Sequence, residues 1–193
     1  MSNKPKILAF AGSTRTASYN KTLVKIAASG ARNAGAEVTY IDLRDFPMPL
    51  FDEDLEATEG IPENVLKFKE LMIAHQGLLI ASPEYNSSIT PVLKNAIDWA
   101  SRPQPGEAGL AAFNNKVAAI MSASPGGLGG LRGLVHLRSI LGNINVMVIP
   151  DQKAISQAFQ AFNPDGTLQD VKQQESVQYL GAKLAGILAK LSA

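Results

Sequence analysis

The chain has 193 residues, of which 46% are hydrophobic and 18% charged, and its 18 Lys and Arg against 17 Asp and Glu leave a net charge of +1. This composition is globular, and the lack of any block of like charges argues against nucleic-acid binding and against stable association with a membrane surface. The absence of cysteine excludes disulfides, thiolate metal sites and a cysteine nucleophile. The length predicts one domain over residues 1–193, and the low charge density favours self-association.

No segment has the pattern of a targeting or membrane-spanning sequence. The first apolar run ends at Gly12-Ser13 without a small-residue cleavage site. No apolar stretch reaches the ~18 residues that a membrane helix requires. We therefore expect a soluble, cytoplasmic protein.

Short apolar runs alternate with stretches of helical periodicity. The runs lie at 6–11, 38–41, 78–81, 117–121 and 146–149. Apolar residues at helical spacing lie within 23–34, 65–75, 92–100, 131–141 and 177–191. Continuous runs of this kind are typical of strands buried on both faces. The alternation predicts an α/β fold of the flavodoxin-like class: a doubly wound, five-stranded parallel sheet with helices on both faces.

The segments between these elements are predicted to be loops and caps. Charged residues at 44–45 and 52–54 are expected on a loop, and Thr167 with Asp170 has the spacing of a capping box before the last helix. Trp99 lies off the apolar stripe of its helix, which leaves a subunit contact and burial within the monomer as alternatives.

The histidines and the nearby arginines offer little chemistry. His75 and His136 lack metal-ligand spacing with carboxylates, so each is expected at a core edge or interface, and no metal site is predicted. Arg132, His136 and Arg138 are expected to form a solvated basic face.

A doubly wound sheet binds ligands beyond the carboxyl ends of its strands, so the loops after the first, third and fourth strands are the candidate site. Loop 1, residues 12–20, carries Ser13, Arg15, Ser18 and Asn20, more donors than a helix cap needs and suited to a phosphate. The G-x-x-x-x-G-K-[ST] and G-x-G-x-x-G patterns are absent. The alternative interpretation is an ordinary polar turn with Ser18 as N-cap.

Loop 2, residues 82–91, is stiffened by two prolines. Pro83 lies near its start, and Pro91 suits the first turn of a helix. Between them, backbone amides, the Tyr85 ring and the Asn86 amide are suited to frame a flat heteroaromatic ligand. The alternative is turn chemistry with Tyr85 as a surface aromatic.

Loop 3, residues 122–130, contains four glycines within five residues. This density is expected where a backbone approaches a ligand closely or adopts positive φ, although a flexible turn is the alternative. A serine nucleophile elbow is disfavoured, because Ser122 stands where G-x-S-x-G requires glycine.

Together the three loops resemble the NAD(P)H-dependent FMN reductase family, whose flavodoxin-like members include quinone, azo and chromate reductases. The resemblance rests on GSTRTASYN at 12–20, SPEYNSSITPVLKNAIDWASR at 82–102 and SASPGGLGGLRG at 122–133. It implies a noncovalent FMN whose phosphate is held by Ser13, Arg15, Ser18 and Asn20. It implies that the isoalloxazine lies between two groups of residues: Pro83, Glu84, Tyr85 and Asn86 on one edge, and Ser124, Gly126 and Gly127 on the other.

The resemblance also implies a reaction. NAD(P)H would donate electrons, and a small acceptor such as a quinone, an azo or nitro compound, chromate or free flavin would receive them by a ping-pong mechanism. The chemistry would occur at flavin N5, so no catalytic side chain is assigned. Family members are commonly dimers or tetramers, which implies a homodimer or homotetramer. Residues 87–90 lie where relatives vary, so acceptor preference does not carry over.

Two other functions are compatible with such a sheet. A flavodoxin-type electron carrier would dock on protein partners, usually through an acidic face that a net charge of +1 does not favour. A serine hydrolase with Ser13 or Ser124 as nucleophile would need a histidine within hydrogen-bond reach. Neither His75 nor His136 is expected near these loops.

Overall fold

A computed structural model describes residues 4–191 and confirms the predicted α/β fold. Five parallel strands form one sheet in the order β2-β1-β3-β4-β5. They are β1 (Lys6–Ala11), β2 (Glu37–Tyr40), β3 (Gly77–Ala81), β4 (Val117–Ala123) and β5 (Met147–Ile155). The predicted domain limits, residues 1 and 193, lie outside the described residues.

Helices cover both faces of the sheet. They are α1 (Tyr19–Asn33), α2 (Glu53–Glu59), α3 (Glu63–Ala74), α4 (Pro91–Ala100), α5 (Leu131–Asn143), α6 (Ala158–Ala161) and α7 (Val171–Leu191). The periodicity predicted α1, α3, α4, α5 and α7. Within residues 4–191, no helix is both long and apolar enough to cross a membrane.

The alternation of side chains along each strand divides the core into two layers. Ile7 and Ala9 of β1 belong to the cluster that includes residues of α1 and α7, whereas Leu8 and Phe10 belong to the cluster formed with α3, α4 and α5. Because the central strands β1, β3 and β4 are covered on both faces, nearly all of their residues are apolar.

Two predictions about loops and caps were wrong. Residues 53–59 form α2 rather than a loop, because the Asp52 carboxylate accepts hydrogen bonds from the amides of Asp54 and Leu55. The start of α7 is capped by Asp170, which accepts from the amides of Lys172 and Gln173. Thr167 instead belongs to the preceding turn, where Asp165 accepts its hydroxyl and amide hydrogens.

The last strand is longer than its apolar run. It continues past Pro150 to Ile155, after a register shift in its pairing with β4. Proline is tolerated there because β5 is an edge strand. Three of the six added residues, at 151–153, are polar and only partly buried, so hydropathy did not identify this half of the strand.

Candidate active site

A cavity of about 200 Å³ opens where β1, β3 and β4 end. Its lining combines all three predicted loops: Ser13, Arg15, Ser18, Tyr19, Asn20, Pro83, Glu84, Tyr85, Ala123, Ser124 and Pro125. Three predicted residues, Asn86, Gly126 and Gly127, do not line this cavity. Tyr19, Ala123 and Pro125 were not predicted, although each directly adjoins a predicted residue in the sequence.

Asn20 connects loop 1 to the end of β4. Its side-chain Nδ2 donates to the Ala123 carbonyl at 2.8 Å, and the Ala123 amide donates to its Oδ1 at 2.9 Å. The side chain is buried, so these two hydrogen bonds hold the first turn of α1 against the strand. The amide therefore has a structural task that sequence reasoning did not identify.

Ser18 occupies the N-cap position of α1, as the alternative interpretation of loop 1 required. In the described structure, however, its side chain makes no capping hydrogen bond. The residue is buried and lines the cavity. Its hydroxyl therefore remains available to a ligand at the helix N-terminus, where the macrodipole favours an anion.

Loop 2 forms a tight hairpin between Tyr85 and Ser88. The amide of each residue donates to the carbonyl of the other, at 2.9 and 3.0 Å. The two intervening residues, Asn86 and Ser87, have φ of 50° and 67°. Left-handed backbone at both central positions is characteristic of a type I′ turn, and it is costly for serine. Tyr85 is 56% exposed and lines the cavity.

Thr90 links loop 2 to loop 1. Its hydroxyl donates to the Gly12 carbonyl at 2.7 Å and accepts from the Leu93 amide at 3.2 Å, which makes it the N-cap of α4. Pro91 occupies the first turn of that helix, as predicted.

Glu84 is a long-range cap for α5. Its Oε2 accepts from the Gly133 amide at 2.9 Å, and its Oε1 accepts from Nη2 of Arg132 at 2.9 Å. Burial alone would raise the pKa of Glu84, but the hydrogen bonds from Gly133 and Arg132 outweigh it and hold the pKa below its ordinary value. The carboxylate is therefore ionised at neutral pH and fixes loop 2 to the helix that follows loop 3.

The positive φ values expected in loop 3 occur at two of its glycines. Gly129 and Gly130 have φ of 62° and 89°, and a Cβ on Gly130 would lie 1.9 Å from the Ser122 hydroxyl. Gly126 and Gly127 do not have positive φ, and a Cβ on either would meet little or no protein. Their backbone therefore borders open space beside the cavity.

The two histidines serve the scaffold. His75 is buried, with Nδ1 2.7 Å from the Leu71 carbonyl and Nε2 2.9 Å from the Thr39 hydroxyl. Nδ1 of His136 lies 2.9 Å from the Ser88 hydroxyl. His75 therefore lies at a core edge, and His136 is an exposed surface residue. Neither imidazole is hydrogen-bonded to Ser13 or Ser124, so neither supplies the base that a nucleophilic serine would need.

The expected solvated basic face was wrong for Arg138, which is only partly exposed, whereas Arg132 is exposed as expected. Arg132 pairs with Glu84, and Nη1 of Arg138 donates to the carbonyls of Val148 and Ile149 at 3.2 and 2.9 Å. Trp99 is fully buried within the chain, and its indole donates to the Pro49 carbonyl at 2.8 Å. Trp99 is therefore buried within the monomer rather than at a subunit contact.

Comparison with known proteins agrees with this geometry. Residues 5–160 match the family model described as NADPH-dependent FMN reductase. The chain is 40% identical to NAD(P)H-dependent FMN reductase PA1204 of Pseudomonas aeruginosa, over 92% of each protein. It is 36% identical to an NAD(P)H:quinone oxidoreductase of Solanum tuberosum, over 96% of this chain and 94% of that protein.

Solved structures show the same arrangement of the backbone. The flavoenzyme FerB, an NAD(P)H:(acceptor) oxidoreductase from Paracoccus denitrificans, superposes with a TM-score of 0.80 at 27% identity, over 96% of this chain and 98% of that one. An archaeal flavodoxin, with a TM-score of 0.61 at 10% identity, shares the fold. The chain belongs to the NADPH-dependent FMN reductase family and is an oxidoreductase that uses FMN with NAD(P)H as the electron donor.

Proposed function

We propose that the cavity holds FMN with its phosphate in loop 1 and its isoalloxazine between loops 2 and 3. The observation that carries this proposal is the start of α1. There a buried serine, Ser18, whose hydroxyl makes no capping hydrogen bond, lines the same cavity as Ser13 and Arg15. Hydroxyls, a guanidinium and a helix N-terminus are the donors that a phosphate monoester accepts. The residues present therefore fit the cofactor of the family.

The other predicted FMN contacts fall into two groups: residues that are free to contact the flavin, and residues whose side chains already hydrogen-bond to other parts of the protein. The Tyr85 ring is exposed and can pack against a flat ring system, and the backbone at Gly126 and Gly127 leaves room beside Ser124. Glu84 and Asn20 use their side chains to hold the loops together. We assign these two a positioning role as well as a place in the lining.

Arg15 supplies the test of the phosphate site. Its guanidinium is exposed and lies 5.7 Å from the centre of the Tyr19 ring, at the edge of the cavity. Arg15→Ala should weaken FMN binding by ~1.5–3 kcal/mol, measured by titration of the apoprotein with FMN. Arg32→Ala, in the last turn of α1, is the matched control and should leave the affinity unchanged. Equal affinities for all three proteins would remove Arg15 from the site.

We further propose that quinones are the acceptors and that NAD(P)H and the quinone use one position in turn. The naming of a related protein as a quinone oxidoreductase supports the acceptor class. Bound FMN supplies hydride-transfer chemistry, and the residues of this chain bind and orient it. Azo and nitro compounds, chromate and free flavin are further candidate acceptors.

Steady-state kinetics test the shared position. Initial rates measured over a grid of NADPH and benzoquinone concentrations should give parallel double-reciprocal lines, as a ping-pong mechanism requires. Intersecting lines would show that both substrates bind together, which would contradict the proposal.

We propose one FMN-binding domain that assembles as a homodimer or homotetramer. All five strands belong to one sheet, which supports a single domain. Exposed apolar side chains on α5 and just before it, Leu128, Leu131 and Val135, support self-association. Sedimentation equilibrium of the wild type and of Val135→Lys tests the assembly, and a monomeric wild type would contradict it.

A further inference from the structure

A second recess of about 200 Å³ lies outside the FMN cavity and has no part in the function described so far. We call it the α4 recess. Most of its lining is apolar: Leu43, Phe46, Pro47, Met48, Val92 and Ala96. Thr14 of loop 1 and Arg44 lie at the same recess. Nε of Arg44 donates to the Thr14 carbonyl at 2.9 Å, which connects the recess to the phosphate loop.

The segment that follows Pro47 and Met48 of the α4 recess is hydrogen-bonded to α4. It comprises residues 49–51, which are fastened to α4 by side-chain hydrogen bonds. Nδ2 of Asn95 donates to the Pro49 carbonyl at 2.8 Å, and its Oδ1 accepts from the Phe51 amide at 2.8 Å. The Trp99 indole donates to the same Pro49 carbonyl. A site formed in advance loses little conformational entropy when a ligand enters it.

A third cavity has lining residues in common with both the α4 recess and the FMN cavity. This cavity, of about 340 Å³, shares Thr14 and Val92 with the recess. The same cavity shares Ser13, Arg15 and Tyr85 with the FMN cavity. A ligand whose reactive ring lies near Tyr85 can therefore extend past Val92 into the recess.

We propose that the α4 recess binds the apolar substituent of the electron acceptor, the alkyl or prenyl side chain of a ring-substituted quinone. This proposal rests on the proposed quinone reductase function. The apolar lining favours a hydrocarbon over the ribose or phosphate groups of NAD(P)H. The amide of Asn95, which could have recognised a polar group, already bonds the Pro49 and Phe51 backbone.

The first experiment measures kcat/KM of the FMN-loaded protein for 1,4-benzoquinones with 2-alkyl chains of increasing length. Each buried methylene should increase kcat/KM roughly fourfold until the recess is full. In Val92→Phe, where the larger ring obstructs the passage, this dependence on chain length should be lost. Met48→Trp enlarges a different lining residue of the recess and should have the same effect, which guards against a variant that does not fold.

The control is Val171→Phe, the same substitution at an exposed position at the start of α7. It should retain the chain-length dependence. A second readout is independent of turnover: calorimetry with 4-alkylphenols and apoprotein should show the same gain per methylene in wild type and its loss in Val92→Phe.

The outcomes separate the two proposals. Benzoquinone reduction without any dependence on chain length, or a dependence that persists in both recess variants, would overturn the assignment of the α4 recess and leave the quinone reductase function intact. Absence of FMN-dependent benzoquinone reduction by the wild type would overturn the proposed function. The alkylphenol titration would then decide whether the recess binds hydrocarbon.

Discussion

Glu84→Gln tests whether the cap on α5 stabilises the site. The carboxylate side chain is only 8% exposed, and it accepts the Gly133 amide at 2.9 Å at a helix end whose own N-cap, Gly130, has no side chain to supply. A hydrogen bond to a buried charged acceptor contributes about 1.5–3 kcal/mol. The ion pair with Arg132 adds little, because Arg132 is 59% exposed.

We therefore expect Glu84→Gln to lower the free energy of unfolding by about 2 kcal/mol at pH 7. For a chain of this size that corresponds to a fall in Tm of roughly 4–8 °C, measured on apoprotein so that cofactor loss does not contribute. FMN affinity should fall as well, because loop 2 loses its attachment to α5. Glu63→Gln removes an exposed carboxylate from the first turn of α3 and serves as control, with an expected change below about 0.5 kcal/mol.

The pH dependence of the free energy of unfolding provides a second test of the Glu84 cap. The folded-state pKa of Glu84 lies below its ordinary value of 4.5, so the stabilisation is complete above that value and is lost as the pH falls through the folded-state pKa. The difference between wild type and Glu84→Gln should therefore narrow on acidification below pH 4.5. A difference that stays constant with pH, or one no larger than that of Glu63→Gln, would refute the capping role.

Three further substitutions test other features of the scaffold. Ser87→Gly should raise the free energy of unfolding by about 0.5–1 kcal/mol in a thermal melt, because glycine accepts a φ of 67° without strain, and an unchanged or lower Tm would contradict this. Ser122→Ala should stabilise the chain by about 1 kcal/mol in urea denaturation, because the buried Ser122 hydroxyl has no hydrogen-bond partner among the described residues. Destabilisation would show that the hydroxyl is hydrogen-bonded and would contradict this prediction. Burial lowers the pKa of Lys116 to about 8, so between pH 8 and 10.5 the unfolded chain holds a proton that the folded chain has released. Wild-type stability should therefore rise over this pH range, and Lys116→Met should lack the rise. Parallel pH profiles of stability for the two proteins would contradict a lowered pKa of Lys116.

The sheet could be predicted because its central strands are buried on both faces. Runs such as 7–11 and 117–121 are apolar at every position, and burial of this kind leaves a signal that needs no knowledge of neighbours. The second half of β5 lacks that signal, since its pairing with β4 is made by backbone groups of polar, half-exposed residues. Trp99 illustrates the same limit: its partner, the Pro49 carbonyl, is 50 residues away.

The loops of the site could be found, but the tasks of individual side chains could not. Loop 1 could be identified because its residue types suit a phosphate. The edge of the sheet could be identified because three predicted strands end there. Nothing local distinguishes Ser18, whose hydroxyl remains available to a ligand, from Asn20, whose amide is bonded to Ala123. Both are polar residues at the start of the same helix, and only the position of β4 separates their roles.

Each loop of the site is held by an atom from another loop or from a distant helix. Asn20 reaches Ala123 across 103 residues, Thr90 reaches Gly12 across 78, and Glu84 reaches Gly133 across 49. Each bond joins segments that the sheet formed by β1, β3 and β4 brings together, so the cavity is a consequence of the complete sheet. Because the three attachments share the same loops, the effects of removing two of them should not add. We therefore expect the affinity for FMN to depend on side chains whose hydrogen bonds are made to the protein itself.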